Sequence, residues 1–198
     1  MQLAKSIVTF LLLTFQSISW LSATSIIHME TEELAHEACS IITGTVLNVQ
    51  SQWTRDGRTI DTMLQVQVDE VLKACSSFQQ GDIITLFNPG GKIGSIDMPV
   101  PGVSELTVGN RSIFFLAETS NQDHMILTLA QGNFPIITQN GEEYVTRDPN
   151  YGHLNHSQSH MLKQSTPQLG SLTMGEKKLV RTFRDEIKTI LQNTNETK

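Results

Sequence analysis

The sequence predicts a mainly β domain of five to six strands, closed as a barrel or sandwich, with a short helix before it and an amphipathic helix after it. Three observations carry this. Two apolar runs rich in β-branched and aromatic residues, Ile83-Ile84-Thr85-Leu86-Phe87 and Ile113-Phe114-Phe115-Leu116, flank a long connection punctuated by Pro89, Gly90, Gly91, Pro99, Pro101, Gly102 and Gly109. From Ile60 to Lys73 apolar and polar residues alternate, the period of a strand with one face in a core and one in water. Near the C-terminus the apolar residues switch to helical spacing.

The N-terminus reads as a signal peptide over residues 1–23. Lys5 supplies the positive charge, Ile7 to Phe15 the short apolar run, and Ser22, Ala23 and Ser25 the small residues a signal peptidase needs. That run is too short to cross a bilayer, which takes roughly 20 apolar residues. Nothing later in the sequence resembles a membrane span, so the chain is expected to be secreted or periplasmic and to act as a monomer. The formal charge is −6, and without Lys5 it sits near −7. An acidic chain lacking a basic stripe is a poor nucleic-acid binder, because phosphate contacts need clustered Lys and Arg.

The barrel domain is expected over residues 26–147. Met29 to Ala38 reads as a helix, with Thr31 as its cap and Leu34 and Ala38 facing inward. Ile41 to Trp53 is a strand, and Asp56-Gly57 turns it into the next one. With that turn at the tip, Leu47 opposes Val66, Val49 opposes Leu64 and Trp53 opposes Ile60. Ile60, Thr62, Leu64, Val66, Val68 and Leu72 then share the apolar face. Cys39 and Cys75 fall one residue out of that register, and a small bulge would bring them together at the hairpin base. In an exported protein two cysteines are most simply one disulfide; two buried thiols are the alternative. Strands follow at Ile83 to Phe87, Ser112 to Ala117, Met125 to Ala130 and Phe134 to Thr138. Asn140-Gly141 then makes a second hairpin into Tyr144-Val145.

Composition shifts at Arg147. Residues 148–170 are polar and rich in Pro, Gly, Ser and His, and read as a mobile loop. A helix is expected over 171–192, started by a Thr173/Glu176 capping box. Its stripe of Leu179, Val180, Phe183, Ile187, Ile190 and Leu191 would dock on the barrel.

Candidate chemistry is sparse. Asn88 to Gly94 holds Gly90, Gly91 and Lys92, but Ile93 stands where a phosphate loop needs Ser or Thr, and Pro99 and Pro101 oppose the helix such a loop opens. The same loop offers Gly90, Gly91, Ile93, Ile96, Met98, Val100 and Pro101 as a contact surface, unless its apolar tips fold back over the barrel end. His153, His156 and His160 are spaced to share a helical face and ligate zinc, copper or nickel, but no cysteine lies near, and a solvated polar loop is the simpler reading. Ser104 and Ser112 lack the Gly-x-Ser-x-Gly elbow of a hydrolase, and His36 and His124 stand apart. Asp69-Glu70 and Glu142-Glu143 are strand neighbours pointing to opposite faces, poor acid–base pairs. No HExxH is present. Asn110, Asn155 and Asn195 begin N-glycosylation sequons, which matter only in a eukaryotic secretory path.

The string Glu33-Leu34, Ala38-Cys39-Ser40-Ile41-Ile42-Thr43-Gly44-Thr45-Val46, and then Val68-Asp69-Glu70-Val71-Leu72-Lys73, resembles the opening of netrin-like modules, a group that includes tissue inhibitors of metalloproteases. Pro89-Gly90-Gly91, Val100-Pro101-Gly102, Phe114-Phe115-Leu116 and Ala130-Gln131-Gly132-Asn133-Phe134 are similar to strings in uncharacterised secreted bacterial domains. The resemblance covers about residues 30–137. It implies an OB-type five-stranded barrel, and it argues for a bacterial source in which the sequons go unused. The inhibitors place a cysteine at the mature N-terminus to chelate the protease zinc. Cys39 lies inside this chain, so that wedge does not carry over.

The expectation is therefore an exported, non-catalytic binding module that needs no cofactor and contacts a protein partner, such as an extracellular protease or envelope component. A metal protein using the histidine loop and an unrecognised hydrolase are the alternatives.

Overall fold

The structure, a computed structural model, describes residues 28–119, 123–150 and 172–195. The expected signal peptide over residues 1–23, and His153, His156, His160 and Asn155, lie outside the described residues.

Helix α1 spans Thr31–Glu37. Its cap is Glu30 rather than Thr31: the Glu33 carboxylate accepts the Glu30 N–H at 3.0 Å, and Thr31 is the first helical residue. Leu34 and Ala38 are buried as expected. Among the described residues ten strands follow: β1 Ser40–Trp53, β2 Ile60–Lys73, β3 Ile83–Pro89, β4 Gly91–Ile93, β5 Ile96–Met98, β6 Arg111–Glu118, β7 His124–Ile126, β8 Asn133–Gln139, β9 Glu142–Thr146 and β10 Lys177–Leu179. Helix α2, Val180–Asn195, ends the fold.

Five strands close a barrel in the order β1-β2-β3-β7-β6, with β6 returning to β1. All pairings are antiparallel except β3–β7, where Leu86 and Phe87 lie beside His124 and Met125 in parallel. This is the expected five-stranded barrel. Strands β8, β9 and β10 extend the sheet beyond it from the free part of the β6 edge.

Two cores sit on opposite sides of the wall made by β1 and β6. Ile42, Val46, Leu64, Val66, Val68, Leu86, Phe114, Leu116 and Ile126 fill the barrel. Outside the wall, Ile41, Ile113 and Phe115 pack with Phe134 and Val145 of the extension, Leu34 and Ala35 of α1, and Val180, Phe183, Ile187 and Ile190 of α2. The period-2 geometry of a strand explains the division: along β6, residues 113 and 115 face out while 114 and 116 face in. Phe134 links the outer layer, 5.2 Å from Phe115 and 4.9 Å from Phe183 between ring centroids.

Several sequence expectations shift. The β1–β2 register holds from Trp53–Ile60 to Asn48–Gln65, but Leu47 is bulged out and Val66 faces Val46 instead. Further irregularities fall between Thr43 and Gly44 and between Ile41 and Ile42. The net offset is the single residue that joins Cys39 to Cys75, whose Cα atoms are 5.4 Å apart in a disulfide. Because one irregularity adds a residue at Asp69, Leu72 leaves the face of Val68 and packs in the outer layer, while Val71 takes its place. The strand expected over Met125 to Ala130 stops at Ile126. Thr128 and Leu129 adopt positive φ (50° and 59°), and a 3-10 turn spans Leu129–Gly132. Gly132 allows this close passage: a Cβ there would sit 2.4 Å from the Leu127 carbonyl oxygen. The Thr173/Glu176 pair does not cap the last helix. The Glu176 carboxylate accepts the Thr173 N–H and hydroxyl and closes a turn before β10, and α2 starts only at Val180. At the start of the polar loop, Arg147 and Asp148 are buried, not solvated.

Candidate functional site

The connection between β3 and β6 stands over one end of the β1–β2 hairpin, and two glycines put it there. At the end of β3 the Gly90 N–H donates to the Ile60 carbonyl at 2.8 Å, and the Thr62 hydroxyl donates to the Gly90 carbonyl at 2.8 Å. Gly90 has φ 88°, and a Cβ there would meet the Met98 carbonyl oxygen at 2.7 Å. Gly91 has φ 142°, and its Cβ would meet the Thr62 and Ser51 hydroxyl oxygens at 2.5 and 2.6 Å. Only glycine lets the backbone cross the inner face of the hairpin this closely. The Lys92 N–H then donates to Ser51 Oγ at 3.3 Å.

Beyond that crossing, β4 and β5 form a two-stranded hairpin. The Gly102 carbonyl accepts the Ala130 N–H at 2.9 Å, and the Asn110 side chain accepts the Thr107 N–H at 2.7 Å. Gly109 N–H and Asn110 C=O both bond to Val46 and deliver the chain into β6. The loop is thus tied to the barrel at both ends and along its length.

Of the proposed contact residues, Ile96 (47% exposed), Val100 (38%) and Pro101 reach solvent; Ile93 and Met98 are half-buried; Gly90 is buried and Gly91 half-buried. Exposed tips and inward-folded side chains therefore coexist. Beneath the loop lies a cavity of about 320 Å³ between Val49, Ser51 and Thr62 on the hairpin and Val100, Ser104 and Leu106 on the loop. Its ionisable lining residues are Lys92, Asp97 and Glu105. Lys92 lies on a strand, and among the described residues it opens no helix whose N-terminus could hold a phosphate.

The catalytic candidates are dispersed. Ser104 and Ser112 are buried, and their hydroxyls bond to no base among the described residues. His36 lies on α1, 4.0 Å from the Glu32 carboxylate, and His124 stands beside the Phe78 ring on β7. The paired acids divide as strand geometry requires. Asp69 accepts Arg111 Nε at 2.9 Å and the Thr45 hydroxyl at 3.0 Å, whereas Glu70 turns the other way to Arg184 on α2. Glu143 joins Arg111 from β9, and Glu142 faces Arg181. Burial lowers the Arg111 pKa, but the bonds to Asp69 and Glu143 outweigh it and hold the value above the usual range. Cys39, Cys75 and Glu118 are the one close trio of metal-type ligands among the described residues, and both sulfurs are committed to the disulfide.

One buried polar centre, around Arg147 and Asp148, has no counterpart among the candidate residues of the sequence. Arg147 lies over the Phe134 ring, 4.7 Å from its centroid, and donates through Nε to the Leu172 carbonyl at 2.7 Å. Weaker bonds reach the Gln131 carbonyl and the Thr31 hydroxyl at 3.5 Å, so one guanidinium ties α1, the 3-10 turn and the approach to β10. Asp148 accepts from Asn133 and from the Asn150 N–H. The cluster is structural: it links chain segments. No pattern in the sequence marks it, because a lone Arg at a composition boundary reads as surface.

No helix among the described residues is long and apolar enough to cross a membrane. No protein-family model matches the chain, and no curated protein matches it.

Proposed function

We propose that this chain is an exported, non-catalytic binding module whose contact surface is the loop from Gly90 to Gly109, and that its partner is a protein. The observation that carries this reading is the combination of rigid anchoring with exposed apolar tips. A loop held by backbone bonds at both ends spends little further conformational entropy on binding. Ile96 and Val100 stand in water at its crest, where apolar side chains favour a partner that covers them. Among the described residues, the separation of His36, His124, Ser104, Ser112 and the paired carboxylates supports binding over hydrolysis, because a nucleophile and its base must lie within hydrogen-bond reach. The Cys39–Cys75 disulfide suits an oxidising compartment. The likeness to netrin-like modules favours an extracellular protease or envelope component as the partner class.

The test is site-specific photo-crosslinking in the producing cells. A crosslinker at Ile96 or Val100 is expected to trap one protein that a crosslinker at Lys177, on the opposite end of the sheet, does not. The Ile96→Ala/Met98→Ala/Val100→Ala variant should lose that protein while keeping its melting temperature. Full retention of the partner by the folded triple variant would overturn the assignment.

A further inference from the structure

Strand β1 has an open edge. Its first half pairs with β2 on one side and β6 on the other, Ser40 opposite Leu116 through Thr45 opposite Arg111. The pairing with the β6 side ends at Val46, which bonds to Gly109 and Asn110. From Asn48 to Trp53 only β2 pairs with it among the described residues.

The hydrogen-bond phase of that stretch follows from two fixed points. Thr54 N–H donates to the Thr59 carbonyl at 2.9 Å, so Thr54 points toward β2. Antiparallel ladders alternate, so Gln52, Gln50 and Asn48 also point toward β2, and Trp53, Ser51 and Val49 point away. The Val46 bonds to Gly109 and Asn110 agree with this phase across the Leu47 bulge. Val49, Ser51 and Trp53 therefore each hold a backbone N–H and C=O toward the unpaired side.

Natural edges are usually blunted by Lys, Pro or brevity. The other end of this sheet is built that way: β10 is three residues long and carries Lys177 and Lys178. The β1 edge from Leu47 to Trp53, Leu-Asn-Val-Gln-Ser-Gln-Trp, has no charge and no proline.

We infer that this edge pairs with the same edge of a second copy of the chain, antiparallel about a two-fold axis at Ser51. The segment is complementary to itself. With Ser51 on the axis, Val49 opposes Trp53 of the other copy and Gln50 opposes Gln52. Every outward N–H then meets an outward C=O, because the residues that point outward in one copy face those that point outward in the other. Val49–Trp53 is a β-branched–aromatic pair of the kind that stabilises cross-strand contacts, and it gives cover to Trp53, which is 43% exposed in the single chain. The glutamine pairs bring no like charges together. A two-fold axis uses the same patch on both copies, so the assembly stops at a dimer. The occupant takes the place beside β1 that the chain before β6 vacates as it turns into the Thr107–Asn110 turn.

Sedimentation velocity across a wide concentration range tests this, using the mature chain. A concentration-dependent dimer is expected. Gln50→Lys/Gln52→Lys, which puts like charges opposite each other at both glutamine pairs, should weaken it about tenfold. Gln50→Glu/Gln52→Lys should restore it, since each Glu then faces a Lys. Both side chains are exposed, so the fold should persist. A second measurement does not depend on affinity: Gln50→Cys protein mixed with Gln52→Cys protein should form a disulfide-linked dimer that neither forms alone, because non-hydrogen-bonded cross-strand pairs bring Cα atoms to about 4.5 Å. A chain that stays monomeric throughout, a dimer indifferent to the two lysines, a failure of the Glu/Lys variant to restore it, or cross-linking no greater in the mixture would each overturn the proposal.

Discussion

The two halves of β1 obey the same local rules and meet different fates. Ser40 to Val46 is buried except for half-buried Thr45, paired on both edges and closed at its base by the Cys39–Cys75 disulfide. Leu47 to Trp53 is paired on one edge and largely exposed. Propensity favours the first half, with Ile41, Ile42, Thr43, Thr45 and Val46 against Val49 and Trp53 in the second, yet both halves form strand, so propensity does not decide which is paired on both edges. What separates them is β6, which runs beside the first half and turns away at Asn110. One half of the strand builds the barrel, and the other presents a backbone surface beside the Gly90–Gly109 loop. On the proposed reading, stability and recognition are divided along this single strand.

Substitutions should sharpen that division. The largest effect is expected in the barrel interior: Phe114→Ala, at a fully buried site opposite Ile42, should cost about 4 kcal/mol in urea unfolding through lost transfer energy and the cavity left behind. Opening the disulfide with Cys39→Ser/Cys75→Ser frees a loop of 36 residues' separation and should cost about 3 kcal/mol. Gly44→Ala comes next. Its Cβ would lie 2.6 Å from Val66 Cγ1 and 3.0 Å from the Gln67 carbonyl oxygen, and such overpacking costs about 2 kcal/mol. In the distal half, exposed Gln52→Ala should change stability by under about 0.5 kcal/mol. Equal costs in the two halves would break the comparison.

The smallest effect is a change with pH. Burial, with Asp56 nearby, raises the pKa of Asp61, which lies opposite Gln52. A carboxyl whose pKa is higher in the folded state binds its proton more tightly there. Its contribution to stability is therefore greatest at acid pH and falls as pH rises from the unfolded pKa through the folded one. Asp61→Asn should remove that fall, so the stability difference between variant and parent should grow in the variant's favour across this window. Urea titrations at paired pH values measure the difference directly.

Much of this was legible in the sequence, for local reasons. The alternation of Ile60 to Val68 and the Asp56-Gly57 and Asn140-Gly141 turns place both hairpins, because turn chemistry and period-2 patterning act over a few residues. The Cys39–Cys75 pairing was expected from two cysteines in an exported chain lying within one residue of register, and the disulfide is there. The bulges at Leu47 and Asp69 did not, since nothing in Val46-Leu47-Asn48 marks which residue is pushed out; the position of β6 decides it. The Thr173/Glu176 pair had the spacing of a helix cap and closes a turn instead, because β10 claims the next three residues for the sheet. At the loop, the glycines and apolar tips were readable, but which tips face water depends on the crossing over Ser51 and Thr62. The outward edge of β1 was invisible, since an unpaired edge is a property of the neighbours.

Amide hydrogen exchange followed by NMR in dilute solution tests the division of β1 most directly. Slow exchange is expected from Ile42 to Val46 and at Gln50 and Gln52, whose N–H groups face β2, with fast exchange at Val49, Ser51 and Trp53. Raising the protein concentration should slow those three. Uniform protection from Ser40 to Trp53 in dilute solution, or fast exchange at Gln50 and Gln52, would contradict the account.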